Sequence, residues 1–149
     1  MKVAIAADHG GYEYKEAIKQ LLDEMNIEYK DFGTHKGESV DYPDYARPVS
    51  ESVADGTFDK GILICGTGIG MSIASNKVKG IRCALVHDVF TAEVTRQHND
   101  SNVLAMGQRV IGEGLALLIV KTWLTNEFEG GRHQRRIDKI EGGCSWKKI

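Results

Sequence analysis

The sequence predicts one doubly wound α/β domain with a five-stranded parallel sheet and a basic tail helix. Three observations carry this. Short, continuously apolar runs alternate with longer segments whose apolar residues recur at spacings of three and four, the pattern of βαβ units. No linker, internal repeat or low-complexity segment interrupts them. The 149 residues, 42% hydrophobic and 27% charged, suit a single core, so residues 1–149 read as one domain.

Val3 to Ala7 is the first buried-strand candidate. The segment from about Tyr12 to Met25 places Ile18, Leu21, Leu22 and Met25 on one helix face. Ile27 to Phe32 is a second strand, and Gly33 to Tyr42 a polar loop. Asp44 to Ala54 reads as a helix, although Pro48 removes one intrahelical hydrogen bond; the helix is kinked there or begins near Arg47. Ile62 to Ile64 is the third strand, Met71 to Lys77 starts a helix, Ile81 to Val86 is the fourth strand, and Val89 to His98 is another helix. Val103 to Met106 is the fifth strand. Leu115, Leu118, Ile119 and Trp123 mark the next helix, which Gly130-Gly131 breaks. A basic helix follows from about Arg132 to Ile140, and Gly142 to Ile149 match no usable pattern.

Composition narrows the function. A formal net charge of -2 supplies no global basic field, so neither nucleic acid nor a membrane surface is expected as a partner. No apolar run approaches the roughly 20 residues needed to span a bilayer. The N-terminal apolar stretch runs straight into Asp8-His9, which reads as a strand rather than a signal peptide. The three cysteines, Cys65, Cys83 and Cys144, form no CxxC pair. This argues against a disulfide framework or a zinc site and fits a reducing cytoplasm.

In open parallel sheets, ligands bind beyond the C-terminal strand ends near the switch point. That rule selects Asp8 to Gly11, Cys65 to Gly70, His87-Asp88 and the segment after Met106. In Cys65-Gly66-Thr67-Gly68-Ile69-Gly70, glycines let backbone amides turn toward a ligand, with a helix N-terminus behind them. On spacing alone, an anion cradle and a plain strand-to-helix turn stand about equal. The loop is neither a dinucleotide fingerprint nor a P-loop, and Met71 stands where a cysteine phosphatase would carry arginine. Cys65, at the strand end, is a candidate base or nucleophile whose pKa a helix dipole would lower; the competing reading is a buried structural thiol. Cys83 and Cys144 are assigned to inert positions.

His9 follows Asp8 at the end of the first strand, and His98-Asn99 closes a helix before the fifth. Arg132 and Arg136, four apart, share one helix face and suit phosphate; the competing reading is a solvated basic face, which a cluster that also includes Arg135 favours. Arg109 follows the fifth strand. His35, His87 and His133 read as structural or surface residues. A base candidate, an anion cradle, histidines and arginines, without a metal cluster or redox-cofactor motif, suggest proton transfer on a phosphorylated metabolite.

Taken together, Ala7-Asp8-His9-Gly10-Gly11, the Cys65 to Gly70 loop, Arg96-Gln97-His98-Asn99, Arg109 and the Arg132/Arg136 pair resemble ribose-5-phosphate isomerase type B. That family also includes the galactose-6-phosphate isomerase subunits. The resemblance runs from Met1 to about Ile140. It implies a Rossmann-like three-layer α/β/α sandwich, a cytoplasmic homodimer without metal or cofactor, and interconversion of ribose 5-phosphate and ribulose 5-phosphate. By the same resemblance, Cys65 is the base at C2 and Thr67 assists. The backbone of Gly66, Thr67, Gly68, Ile69 and Gly70 holds the enediolate, and His98 opens the ring. Asp8 and Asn99 hold hydroxyls, and His9, Arg132 and Arg136 bind phosphate. Arg109 lines the site, which is shared, with His98, Asn99 and Arg109 coming from the neighbouring subunit. Some relatives carry a glutamate base just downstream; here Met71-Ser72-Ile73-Ala74-Ser75 offers no acid, which favours Cys65. Two other readings remain open on the sequence: a hexose-6-phosphate isomerase and a non-catalytic phosphometabolite-binding module.

Overall fold

The computed structural model describes residues 1–142. The chain runs β1 (Lys2–Ala7), α1 (Tyr12–Glu24), β2 (Glu28–Asp31), α2 (Pro43–Ala54), β3 (Lys60–Cys65) and α3 (Ile69–Ser75). It continues through β4 (Cys83–Leu85), α4 (Val89–Asn99), β5 (Val103–Gly107), α5 (Glu113–Thr125) and α6 (Arg132–Ile140). The five strands are parallel in the order β2-β1-β3-β5-β4.

The two-residue period of a strand sorts its side chains into two cores. Val3, Ile5, Ile62, Ile64, Leu104 and Met106 pack on one face against Ile18 and Leu22 of α1 and Ile119, Val120 and Trp123 of α5. Ala4, Ala6, Leu63, Cys65 and Ala105 pack on the other against Ala46, Val49 and Val53 of α2 and Met71 of α3. The result is the expected Rossmann-like three-layer sandwich. Each fully buried branched side chain contributes about 1.5–3 kcal/mol of transfer free energy.

Several details differ from the sequence expectation. Helix α2 begins at Pro43, where the missing N–H costs nothing, and continues through the exposed Pro48 rather than starting near Arg47. Helix α3 begins at Ile69, two residues early, because Gly68 takes φ 78° and turns the chain directly into the helix. The edge strand β4 is only three residues long. In α5, Ile119 and Trp123 are buried as expected, but Leu115 and Leu118 are 37% and 49% exposed. The run Leu115-Ala116-Leu117-Leu118-Ile119-Val120 is apolar throughout, so its spacing does not select which stripe meets the sheet. Cys144 and the rest of residues 143–149 lie outside the described residues.

Strand β2 is held by an ionic knot. Lys15 is fully buried on α1, and its ammonium pairs with Asp31 and Glu16. Lys19 lies 2.9 Å from the same two carboxylates, and the Gly33 amide donates to Asp31 at 2.8 Å. Burial disfavours the Asp31 anion, but the hydrogen bonds from Lys15, Lys19 and Gly33 outweigh it and hold the pKa below the usual range. A depressed carboxylate pKa stabilises the fold above the unfolded value near ~3.9 and ceases to do so as pH falls through the folded value. Asp31→Asn, which strands part of the Lys15 charge, is expected to cost about 3 kcal/mol at neutral pH. Thermal unfolding across pH checks this: the gap from wild type starts to narrow below about pH 4, where the unfolded carboxylate protonates, and closes only as pH falls through the lower folded value. A gap independent of pH contradicts the ionic explanation.

Candidate active site

The loops after β1 and β3 leave neighbouring strands toward opposite faces of the sheet, to α1 and α3. This is the switch point that opens a crevice at the C-terminal strand ends. Asp8 enters it first. Its amide donates to the Ile64 carbonyl at 3.2 Å, and its Oδ1 accepts from the Gly10 amide at 2.8 Å. The two loops then touch by backbone: a Cβ at Gly10 would stand 3.0 Å from the Gly66 nitrogen. On the other side, a Cβ at Gly107 would meet the Thr67 backbone at 2.6 Å. The Gln108 and Arg109 amides donate to the carbonyls of Cys65 and Gly66 at 2.9 and 3.0 Å, tying β5 to the same loop.

Within this frame Cys65 is 5% exposed, and its Sγ accepts from the Gly68 amide at 2.9 Å. Thr67 is exposed, and its Oγ1 accepts weakly from the Ile69 amide at 3.4 Å. The sequence reading aimed all the loop amides at a ligand; those of Gly68 and Ile69 instead have acceptors inside the loop. Arg109 packs over Gly66 of its own chain, with guanidinium atoms 3.4 Å from where a Cβ would be. His9 is exposed, and its Nδ1 accepts from the Val40 amide at 3.3 Å, which draws the loop before α2 over the crevice. The Tyr42 ring from that loop lies over Gly70, leaving 2.6 Å for a Cβ.

Asp8, His9, the Cys65 to Gly70 loop and Arg109 are thus brought together. His98, Asn99, Arg132 and Arg136 are not part of this group. Helix α4 runs against the strand direction and ends beside the sheet's N-terminal edge. There the Asn99 carbonyl accepts from Arg82, just before β4, at 3.0 Å, and the Gly61 amide at the start of β3 donates to Asn102 at 2.9 Å. From Gly61 to Cys65 a strand rises about 13 Å, so in one chain His98 and Cys65 lie at opposite ends of the sheet. The N-terminal end of α6 joins His98: the His133 imidazole stacks on that of His98, centroids 4.2 Å apart.

Two histidines that sequence reading set aside therefore touch candidate groups. His133 is one; the other is His87, whose Nε2 accepts from the Gly107 amide at 3.1 Å beside the glycine loop. The spacing of Glu129 and His133, with Gly130-Gly131 between, was the available signal for the first; the second lay in the His87-Asp88 loop that the strand-end rule selects, although no motif singled it out. Burial pushes the Cys83 thiol up to about 12 against the contrary effect of the Ser75 and Ser72 hydroxyls, in keeping with an inert cysteine. A groove of about 650 Å³ between α2 and α3 is lined by Pro43, Arg47, Glu51, Lys77 and neighbours and by none of the candidate residues. No helix among the described residues is long and apolar enough to cross a membrane.

Known proteins resemble this chain in sequence and in fold. A Bacillus subtilis protein, YwlF, assigned by its name only provisionally to the sugar phosphate isomerases, is 67% identical over 94% of this chain and 95% of its own. Ribose-5-phosphate isomerase B of Escherichia coli is 50% identical over 93% of each chain. The structure of Clostridium thermocellum ribose-5-phosphate isomerase B superposes with a TM-score of 0.93 at 54% identity, covering 95% of both chains. The sequence profile of the Ribose/Galactose Isomerase family matches residues 3–140, and the chain belongs to that family of enzymes.

Proposed function

We propose that the protein interconverts D-ribose 5-phosphate and D-ribulose 5-phosphate by an aldose–ketose shift through a cis-enediolate. The observation that carries this is the position of the Cys65 sulfur: at the end of β3 by the switch point, fixed by the Gly68 amide, in a loop whose Gly66 meets Gly10 of the Asp8 turn and the Arg109 side chain. The names of the relatives support the pentose phosphate over hexose phosphates.

The cyclic substrate must open first. His98 gives a proton to the ring oxygen as the C1–O bond breaks, and the anomeric hydroxyl loses its proton to water, leaving the aldehyde. Cys65 as thiolate then takes the C2 proton. The C–H pair forms the C1–C2 double bond, and the carbonyl pair moves to O1. Return of the proton from Cys65 to C1, with transfer of the O2 proton to O1, gives the ketose. Such a positioned base contributes typically about 10²–10⁴-fold. The loop amides without internal acceptors stabilise the enediolate oxygen, with Thr67 beside the reacting carbons. Asp8 and Asn99 hold hydroxyls, and His9, Arg132 and Arg136 bind the phosphate, whose remote binding energy holds the sugar in place. No metal or cofactor takes part in this scheme.

One chain does not bring these groups together, which supports a homodimer with shared sites; a cytoplasmic location rests separately on the cysteine usage. One copy supplies Asp8, His9, Cys65 and Thr67; the other supplies His98 and Asn99. Arg132 and Arg136 go with His98, because α6 packs on α4, and Arg109 stays with its own glycine loop. The apolar side chains left exposed on the adjoining helices α4 and α5, Phe90, Leu115 and Leu118, suit burial against a second copy.

Cys65→Ala is expected to cut ribose 5-phosphate turnover at least about 10²-fold with an unchanged melting temperature. Unaltered activity removes Cys65 from the mechanism. His98→Asn is expected to slow turnover of cyclic ribose 5-phosphate while sparing solvent deuterium exchange into open-chain ribulose 5-phosphate, measured by NMR. Equal losses in both assays contradict a ring-opening role. Mixing the two inactive variants by co-refolding is expected to restore about a quarter of wild-type activity, because a mixed dimer regains one intact site. No recovery overturns the shared site.

A further inference from the structure

The cluster around His98 contains two residues to which the scheme above gives no task. The connection from α5 to α6 is tied to the last turn of α4. The Glu129 amide donates to the Gln97 carbonyl at 3.0 Å, and Gln97 Nε2 donates to Asn126 Oδ1 at 3.2 Å. This tether brings Glu129 Oε2 to 3.9 Å from His98 Nε2 and 3.7 Å from His133 Nε2. His133 is 5% exposed, and its amide donates to the Gly130 carbonyl at 3.1 Å. The His98 ring lies flat on it, the two planes 3° apart.

Two imidazoles and a carboxylate within 4.8 Å of one another are also the donor set of a zinc site. The geometry opposes that reading. In rings parallel to 3° the in-plane lone pairs run side by side instead of converging on one ion. The cations of Arg132 and Arg136 also act on this cluster. What the arrangement does well is fix a ring. A buried imidazole presents a flat wall, and a stacked partner keeps its plane while retaining freedom only to turn within it. A carboxylate facing one ring edge removes that last freedom. Burial, then the charges of His98, Arg132 and Arg136, push His133 below its ordinary pKa against the pull of Glu129, which favours a neutral wall under a partner that must carry the proton.

We propose that Glu129 and His133 are positioning residues for His98: His133 sets the plane of its imidazole by stacking, and Glu129 sets its rotation within that plane. The inference rests on the reading of His98 as the ring-opening acid. An acid whose ring wanders loses alignment with the ring oxygen, whereas proton transfer at Cys65 is untouched.

The test uses the full-length protein and two assays: turnover of ribose 5-phosphate, which needs ring opening, and solvent deuterium exchange into ribulose 5-phosphate, which does not. Glu129→Gln and His133→Gln are expected to lower turnover about 10-fold and leave exchange within about 2-fold. Glu129→Asp is expected to recover part of the loss. Glu129 is exposed, so its variants report even where His133→Gln lowers the melting temperature. Loss of both activities in parallel, or of neither, in the Glu129 variants overturns the inference. His98→Asn in the same assays separates the two levels. A selective effect there with none from Glu129→Gln defeats the positioning role alone. No selective effect there defeats the reading of His98 itself.

Discussion

Backbone meeting backbone at the C-terminal edge of the sheet is the constraint on which the site depends. Gly10 abuts Gly66, and Gly107 abuts Thr67, at separations that leave no room for a side chain. The amides of Gln108 and Arg109 fasten the same loop from the β5 side. Three consecutive strands of the sheet thereby hand their ends to one small volume. The sulfur of Cys65 is fixed by its own loop, and the loop by its neighbours, so the candidate base is positioned by main chain rather than by mobile side chains. Overpacking such a contact by even a methyl group costs typically about 1–3 kcal/mol. The glycines here serve mainly to let strands converge, and the ligand-facing amides are a by-product of that convergence.

The same topology sets the limit of what one chain can do. A parallel sheet places every strand end on one edge and every helix end on the other. Asp8, Cys65 and Arg109 belong to the first edge; His98 at the end of α4 belongs to the second. No rearrangement of loops closes a gap of about 13 Å along the strands. On the proposed scheme, a base at one edge and an acid at the other would become neighbours only if two copies stacked so that opposite edges meet. The exposed Leu115 and Leu118 fit this, since an isolated domain has no use for a second apolar stripe on α5.

Much of the fold was legible because the strands are short and continuously apolar and the helices between them amphipathic. The five strands, their parallel arrangement and the loops at the switch point followed from period alone. What escaped did so for identifiable reasons. The apolar stripe of α5 faces two ways, so Leu115 and Leu118 carried the same signal as the buried Ile119. The early start of α3 depends on one positive φ at Gly68, a local matter that periodicity does not encode. His133 sits in a basic segment and was legible only as one more polar residue; its burial comes from the packing of α6 on α4, a long-range contact. His87 acquired its partner from β5, 20 residues away.

The escape near His98, the buried His133, bears on how a proposed acid could be supported far from its proposed base. Cys65 inherits its geometry from the sheet, the stiffest part of the molecule. His98 sits at a helix end, where the chain frays and side chains turn freely. A group so placed needs its own support, and the sheet is too far away to give it. The connection between α5 and α6 supplies that support locally, through one backbone hydrogen bond to Gln97 and one flat, buried ring. The proposed base is therefore ordered by the fold of a single chain. The proposed acid would depend on a small tethered loop, and on the proposed scheme the two would be joined only by assembly.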